Sequence, residues 1–493
     1  MTDTKASLAP ENLAEFLKLL EEEGNLLTIE KPVDKDTELA CIARLCADSL
    51  ASRKRQAVLF KNVSGFKMPV AVGLFNYKKS YARALACKTE EIFERWSEAM
   101  KSQLPPQLLS NSTAAVYEQV WQASEIDLLK LPVPNWTPGK DPGAFFSSAC
   151  VITKDLDSGV QNMGVYRIQI KGPSSLTVGF GSENQHGCIQ MRKFHKSGKP
   201  CPVAIVAGST PAVLFAAAAK TAYGIDELGV AGRLMQRPVK VATGLKVDLL
   251  IPAESEIVIE GFIDPDSYTS EGPFGEALGI MSEEGKAPLM RVESISMRKN
   301  AIMHGYIQQV PPSEGHLVWQ FGVLGPLYYY LKEKAGFLMI KDMGIAPGSA
   351  GLSYLLVQIS PSSQEEKQRL LSLLSKLQFG QKFVCLLDED IDIADPLSIQ
   401  FALSSRVNPE HDIKYITGTT IYQADYSVYA EKSTGAPFRS AIALIDATKK
   451  GRAPAIALPS EKYMKAVRDH WSNWALPELK DADEDRIMRF LRS

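Results

Sequence analysis

Between about Leu129 and Ile307 the chain reads as a succession of short strands: ACVITKD, GVYRIQIKG, SLTVGFG, PVAIVAG, VKVATGLKVDLLIP, SEIVIEGFI, RVESISMR and AIMHGYI. Each is rich in β-branched residues and is broken by Gly, Pro or Asp. Many short antiparallel strands at this spacing predict a barrel or a sandwich, because closure or face-to-face packing hides their apolar sides. One helical stretch, PAVLFAAAAKTAYGIDELGVAG, interrupts the series. A β core in the middle of the chain therefore constrains what lies on either side of it.

The flanks have a different texture. Glu11 to Gly24 carries apolar residues at helical spacing and ends at a glycine. NLLTIEKPV then predicts a strand, TELACIARLCADSL a helix, and AVLFKNV and MPVAVGLF two short buried strands. Residues 1–125 thus read as an N-terminal α/β portion, with the polar, irregular run from Gln107 to about Ser124 linking it to the β core at 126–310. After Pro311-Pro312, HLVWQFGVLGPLYYYLKEKAG predicts a long helix bent near Gly325-Pro326, a connector over 311–336. FLMIKDMGI, YLLVQIS, a helix from about Gln364 to Lys376, FVCLLDEDIDI and the helix PLSIQFALSSRV predict a compact α/β domain over 337–455. Charged helical segments fill 456–493, a tail expected to pack on a neighbouring subunit. The fold class is α+β.

With 493 residues, 45% apolar and 23% charged, the chain has the makeup of a soluble protein of two or three domains. Its net charge of −2 offers no basic field for nucleic acid. The seven cysteines are scattered without a Cys-x-x-Cys, which speaks against a disulfide framework and a thiolate zinc site. The opening residues are polar, and PAVLFAAAAK is too short to cross a bilayer. A cytoplasmic protein that meets neither nucleic acid nor membrane is expected.

Candidate chemistry concentrates in SEGPFGEALG, where Glu271 and Glu276 flank a Gly-Pro-Phe-Gly run that no helix would choose. A plain surface turn explains such a loop equally well. If it faces a cleft, two acids in one site have separated pKa values, and one can hold a proton near neutral pH. An arginine between them would offset their repulsion. Arg167 in QNMGVYRIQI is the candidate; strand alternation puts it on one face with Val165 and Gln169. A lone strand arginine, however, more commonly serves a surface ion pair.

Histidine is scarce, with six in the chain. His186 follows a Gly-rich turn, His304 has less polar company, and His195 lies in an exposed-looking turn. Asn162, His186 and Glu227 offer O, N and O donors, a mixed set suited to Mn²⁺ or Mg²⁺ bound with a phosphate. Spacing alone does not establish that set. GFGSEN near Gly179 resembles half of a dinucleotide fingerprint, but its third glycine and the surrounding βαβ unit are missing. A Walker lysine motif, a G-x-S-x-G elbow and His-Glu-x-x-His are all absent.

Taken in chain order, these segments resemble the UbiD family of prenylated-FMN-dependent (de)carboxylases. NMGVYRIQI at Asn162, NQHG at Asn184, GIDELGVAG, PAESEIVIEG at Pro252 and EGPFGEALG carry the resemblance, followed by PPSEGH, DEDIDI at Asp388, SRVNP at Ser405 and LIDATKK at Leu444. It covers most of residues 10 to 450. The resemblance implies a split β-barrel flavin-binding domain, an α/β N-terminal portion, a connecting helix and a C-terminal α/β oligomerisation domain. It implies reversible non-oxidative decarboxylation of an aromatic, heteroaromatic or α,β-unsaturated acid through a covalent prenylated-FMN adduct, in a homo-oligomer (dimer or hexamer) supplied by a flavin prenyltransferase.

Residue by residue, the resemblance implies that Arg167, Glu271 and Glu276 are catalytic. Arg167 would hold the substrate carboxylate, Glu276 would deliver the proton, and Glu271 would pair with Arg167. Asn162, His186 and Glu227 would hold Mn²⁺ or Mg²⁺ at the cofactor phosphate, and Val165, Tyr166, Gln185 and Lys376 would line the cofactor. Two departures bear on the pocket. Ile280 stands where relatives often carry an aromatic, and the run Ala216-Ala217-Ala218-Ala219 replaces residues that can be serines. A K⁺ ion there would rest on backbone carbonyls. Two other classes stay open: a split-barrel flavin oxidoreductase, marked by NAD(P)H consumption, and a non-catalytic flavin-binding protein.

Overall fold

The computed structural model describes residues 8–47, 56–377, 379–420, 425, 427–428, 439–451 and 456–474. The end of the expected tail, 475–493, lies outside the described residues. The chain divides into two compact units, 1–329 and 330–493.

The centre of the first unit is a nine-stranded sheet. Its strands are β1 (Gln119–Gln122), β2 (Phe145–Phe146), β3 (Cys150–Lys154), β4 (Gln161–Val165), β5 (Arg167–Gly172), β6 (Ser175–Gly179), β7 (Cys201–Ala207), β8 (Ile257–Glu271) and β9 (Gly285–Met297). They run in the order β2-β5-β6-β9-β8-β7-β3-β4, with β1 paired to β9. Only Tyr166 separates β4 from β5, yet the two stand near opposite ends of this path. The sheet must therefore curl until its ends approach, which makes it a half-barrel.

Strands β8 and β9 are its long staves, and β8 ends on Glu271. Their register shifts at Glu260/Gly261 and again between Ile263 and Tyr268. At the first shift a Cβ on Gly261 would overlap the Arg291 carbonyl oxygen, so the close approach of the two backbones requires glycine.

Several sequence expectations are corrected here. QNMGVYRIQI is two strands of the sheet broken at Tyr166, because the chain crosses there from one end of the curl to the other. Gln107 to Ser124 does more than link: β1 lies within it, and Gln107–Leu108 pairs in parallel with Lys240–Val241. These are edge pairings, which need little apolar patterning, so polar sequence concealed them. VKVATGLKVDLLIP leaves the barrel to form a separate sheet, Lys240–Thr243 against Leu250–Pro252. AIMHGYI also leaves it: Met303–His304 pairs with Val70–Ala71 in a four-stranded sheet with Leu26–Ile29 and Ala57–Phe60. The helical interruption is two helices, α2 (Pro211–Ala217) and α3 (Glu227–Met235); α1 (His186–Lys196) precedes them.

One apolar core runs through both sheets, joining Phe60, Val70 and Val72 to Trp136, Phe145, Ile168, Ile205, Ile259 and Ile295. Each such side chain, fully buried, contributes about 1.5–3 kcal/mol. Helix α4 (Glu314–Tyr329) contains Pro326 and passes into a π turn at Tyr330–Lys334. Its first residue, the fully buried Glu314, accepts the N–H groups of Gly73 (2.6 Å) and Phe75 (3.1 Å). PPSEGH thus ties α4 to the N-terminal sheet.

The second unit is a five-stranded sheet of β10 (Ile340–Ile345), β11 (Tyr354–Ile359), β12 (Phe383–Asp388), β13 (Ile413–Thr420) and β14 (Arg439–Asp446), ordered β10-β11-β12-β14-β13. Strands β11, β12 and β14 are parallel, with α5 (Gln364–Leu374) in the first crossover and α6 (Pro396–Arg406) in the second. The antiparallel pair β13–β14 was not apparent from sequence. This unit explains why DEDIDI, SRVNP and LIDATKK occur together. Arg406 pairs with Asp390 (2.7 Å) and Asp388 (2.8 Å), and Lys449 joins Asp390 at 3.1 Å.

Burial alone would raise the Asp390 carboxyl, but hydrogen bonds from Arg406 and Lys449 outweigh it and hold the group below the ordinary carboxylate range. Its contribution is therefore present at neutral pH and is lost as pH falls through that range. Replacing Arg406 by Met leaves two acids without their main partner. A loss of about 3–5 kcal/mol is expected, read as a lowered melting temperature of the second unit and a flattened acid limb in pH-dependent unfolding.

Candidate active site

Arg167 opens β5, and its neighbour across the sheet is Gly179 on β6. A Cβ at Gly179 would lie 2.9 Å from the Arg167 Cγ, so glycine makes room for the arginine to cross its partner strand. That is the role of the glycine in GFGSEN, which is no phosphate fingerprint. Freed in this way, the guanidinium reaches two acids. Its Nε and Nη2 donate to Glu271 Oε2 at 3.0 and 2.8 Å, and Nη1 donates to Glu276 Oε1 at 2.7 Å.

Glu271 is fixed by the end of the long stave β8. Glu276 is fixed by a small hairpin-like finger that follows. Gly272, at φ +83°, lets the chain leave the strand in a conformation that only glycine adopts freely. Phe274 and Ser282 then exchange hydrogen bonds, Gly275 bridges Met281, and the Glu276 N–H donates to the Ile280 carbonyl at 2.8 Å. The loop is thus held by the returning segment Ile280–Ser282 as well as by its own Gly-Pro turn. Gly272 N–H also donates to Gln169 Oε1 at 3.3 Å, which puts Gln169 and Arg167 on the same side, as the strand alternation predicted.

The two acids sit in unlike surroundings. The Glu271 side chain is 2% exposed, whereas Glu276 is 36% exposed and Arg167 23%. Glu271 is therefore the inner partner, and Glu276 is the one open to an incoming molecule. Burial raises both carboxyls above their ordinary value, against the opposing charge of Arg167; the Glu271 charge raises Glu276 further. One cation cannot neutralise two anions in a half-buried cluster, so a proton on Glu276 relieves the excess. Glu271 Oε1 is buried and lacks a hydrogen-bond partner among the described residues.

A second cluster gathers around Tyr166. Asn162 on β4 and Glu227 at the start of α3 come to it, and the Gly187 N–H, next to His186 at the start of α1, donates to the Tyr166 hydroxyl. Glu227 is 3% exposed and accepts from Met163 N–H (2.9 Å) and the Thr221 hydroxyl (3.0 Å). Burial pushes its pKa up to about 7, and no ion pair to it is present among the described residues. The Asn162 amide nitrogen is buried and unpartnered. A buried acid without a cation beside an orphaned amide is the arrangement a bound metal ion and its anionic ligand would complete. Burial, and then the nearby Lys220 charge, lower the His186 pKa, which favours the neutral imidazole. Among the described residues no three His, Cys, Asp or Glu side chains form a metal-type cluster, so a divalent ion here would depend on Asn162 as a donor.

Of the remaining candidates, Val165 ends β4 and Gln185 precedes α1. Lys376 lies beyond the end of α5 in the second unit, lining a cavity of about 510 Å³ with Tyr330, Phe337 and Arg369. Two histidines are corrected. His304 is buried beside Glu314 (3.6 Å), and His195 sits within α1 against the Ile263 carbonyl (3.1 Å); both are structural. Sequence reasoning missed Lys220, Thr221 and Tyr223. Thr221 holds Glu227, and the Tyr223 ring meets His186 edge-on at 5.1 Å. Their signal was the polar, aromatic KTAY between an alanine helix and Glu227.

Comparison with known proteins gives this geometry its class. Models of the 3-octaprenyl-4-hydroxybenzoate carboxy-lyase match in three parts: the N-terminal domain over residues 17–100, the Rift-related domain over 107–311 and the C-terminal domain over 323–447. The chain belongs to the UbiD family, and it is a carboxy-lyase of flavin-dependent type. The UbiD-class enzyme HmfF from Pelotomaculum thermopropionicum, solved with FMN, is 27% identical at a TM-score of 0.83, over 92% of this chain and 99% of that one. An evolved dimeric form of HmfF with prFMN is 28% identical at 0.80, over 91% and 97%. Vanillic acid decarboxylase from Sedimentibacter hydroxybenzoicus, in open form, is 25% identical at 0.81, over 95% and 100%. No helix among the described residues is long and apolar enough to cross a membrane.

Replacing Gly179 by Ala tests the geometry without touching an ionisable group. The added methyl displaces Arg167 from its two acids, and a turnover loss of about 100-fold is expected with the fold retained. Steady-state rates measured beside a melting curve check it.

Proposed function

We propose that this enzyme carries out reversible, non-oxidative decarboxylation of an aromatic, heteroaromatic or α,β-unsaturated carboxylic acid, with aromatic acids preferred. The observation that carries the reading is Arg167 held between a buried and an open carboxylate. Prenylated FMN, when bound, supplies the electron sink that an sp² carbon needs on losing CO₂.

The side chains do the rest. Arg167 binds the substrate carboxylate in place of some of its present hydrogen bonds and orients it for cleavage. Glu271, anchored at the end of β8, keeps the guanidinium aimed. Glu276 carries a proton past the ordinary carboxylate range, because burial and Glu271 disfavour its anion, and it gives that proton to the carbon that CO₂ has left. In the carboxylation direction it takes the proton back.

Asn162, His186 and Glu227 are proposed to hold Mn²⁺ or Mg²⁺ against the cofactor phosphate, supported by the unpartnered amide and the buried, unpaired acid. Val165, Tyr166 and Gln185 would line the cofactor, and Lys376 is proposed as a further contact. A K⁺ ion near the alanine run would bind backbone carbonyls, since no alanine side chain can ligate it. A flavin prenyltransferase would supply the cofactor, and the working form would be a homo-oligomer in the cytoplasm.

Protein co-expressed with a flavin prenyltransferase and screened on aromatic and acrylic acids is expected to release CO₂ without consuming NAD(P)H. Glu276→Gln is expected to keep the bound-flavin absorbance and lose turnover; an active variant contradicts the assignment. Because the donor must be protonated, the rate of the protonation step should hold at low pH and fall as pH rises through the raised Glu276 pKa. A rate that instead climbs across that window would make Glu276 a base.

A further inference from the structure

The residues proposed to hold the cofactor phosphate contain no fixed positive charge. Asn162 is neutral, an imidazole that ligates a metal is neutral, and Glu227 is an acid. One divalent ion cannot neutralise a dianionic phosphate monoester and a carboxylate together, and an excess negative charge in a partly buried site is costly. A further cation, either K⁺ or a side chain, completes the balance.

Lys220 provides one. It lies just past α2, and its own backbone N–H donates to the Gly322 carbonyl at 2.9 Å, which fixes the root of the side chain. Its ammonium donates to Gln185 Oε1 at 3.3 Å, immediately before His186, and its charge is felt at the His186 ring. The next residue, Thr221, holds Glu227. Lys220 therefore stands at the cluster and also beside the N-terminal end of α1, an eleven-residue helix. The Asn162 amide nitrogen, on the strand that supplies the cluster, is buried and unpartnered among the described residues. The residue as a whole stays open to solvent, yet its ammonium makes no ion pair among the described residues, so it is not committed elsewhere.

We propose that Lys220 binds the 5′-phosphate of the flavin directly, as the fixed cation of the site, and makes binding largely independent of potassium. This rests on the cofactor reading given above. An ammonium on a tethered side chain occupies the phosphate's charge deficit at all salt compositions, whereas a K⁺ ion held by carbonyls is available only when K⁺ is present.

The test is flavin binding, followed by fluorescence quenching on the full chain with Mn²⁺, in sodium and in potassium buffers. FMN is compared with riboflavin, which has the ring but no phosphate. Lys220→Ala is expected to weaken FMN binding by about 10–100-fold, the worth of a charged hydrogen bond, and to leave riboflavin unchanged. Lys220→Arg should retain most of the FMN affinity. Wild-type affinity should not respond to exchanging Na⁺ for K⁺, whereas Lys220→Ala should regain affinity in K⁺. Melting curves of both variants, expected to match wild type, exclude a folding cause. Equal losses for FMN and riboflavin, or an unchanged Lys220→Ala protein, overturn the assignment of Lys220. Wild-type protein that binds riboflavin as tightly as FMN, or binds neither, overturns the phosphate-site reading itself.

Discussion

A guanidinium between two carboxylates in a half-buried cluster has an electrostatic problem that only a proton or a ligand resolves. Three groups with one positive and two negative charges carry an excess anion, and burial magnifies its cost. Arg167, Glu271 and Glu276 are in this situation. The exposures are unequal: Glu271 is shut in against two donors, and Glu276 faces outward. The proposed roles, an anionic substrate at Arg167 and a proton on Glu276, match the two needs of exchanging CO₂ for H⁺ at carbon.

Much of the first unit can be understood as the means of holding that arrangement. The curl of the sheet brings β4 and β5 from opposite ends of the strand path to adjoin at Tyr166, so Asn162 and Arg167 sit on either side of one residue. The two clusters, proposed to take the phosphate and the reacting carboxylate, are thus spaced by a fixed piece of backbone. The long stave β8 carries Glu271, and the finger after it returns Glu276 to the same arginine. Gly179 leaves a gap in β6 where the arginine passes. None of these devices tolerates a one-residue slip, because each depends on which face of a strand a side chain leaves.

The strands of the half-barrel and the C-terminal α/β unit were legible because their apolar patterning is strong, and the long helix because it is apolar over most of its length. The Glu-Arg-Glu set was legible through the family resemblance; taken alone, acids on a Gly-Pro loop and an arginine on a strand read equally well as a surface turn and a surface ion pair. The remaining features depended on contacts between distant segments. β1 is polar because it is an edge, and Met303–His304 pairs with a sheet more than two hundred positions upstream. DEDIDI and SRVNP read as separate motifs until Arg406 joins them. Lys220 was hidden for a plainer reason: a lysine after a helix is ordinarily solvated, and only its approach to Gln185 and His186 distinguishes it.

The proposed proton store at Glu276 is tested most directly by its titration. Carbon-13 NMR of carboxyl-labelled glutamate, with Glu276→Gln protein used to identify the resonance, follows that group alone. The account predicts that Glu276 keeps its proton above the ordinary glutamate pKa of about 4.3, and that Glu271→Gln lowers the midpoint by removing the neighbouring charge. A Glu276 that ionises at or below the ordinary value, unmoved by Glu271→Gln, would contradict it.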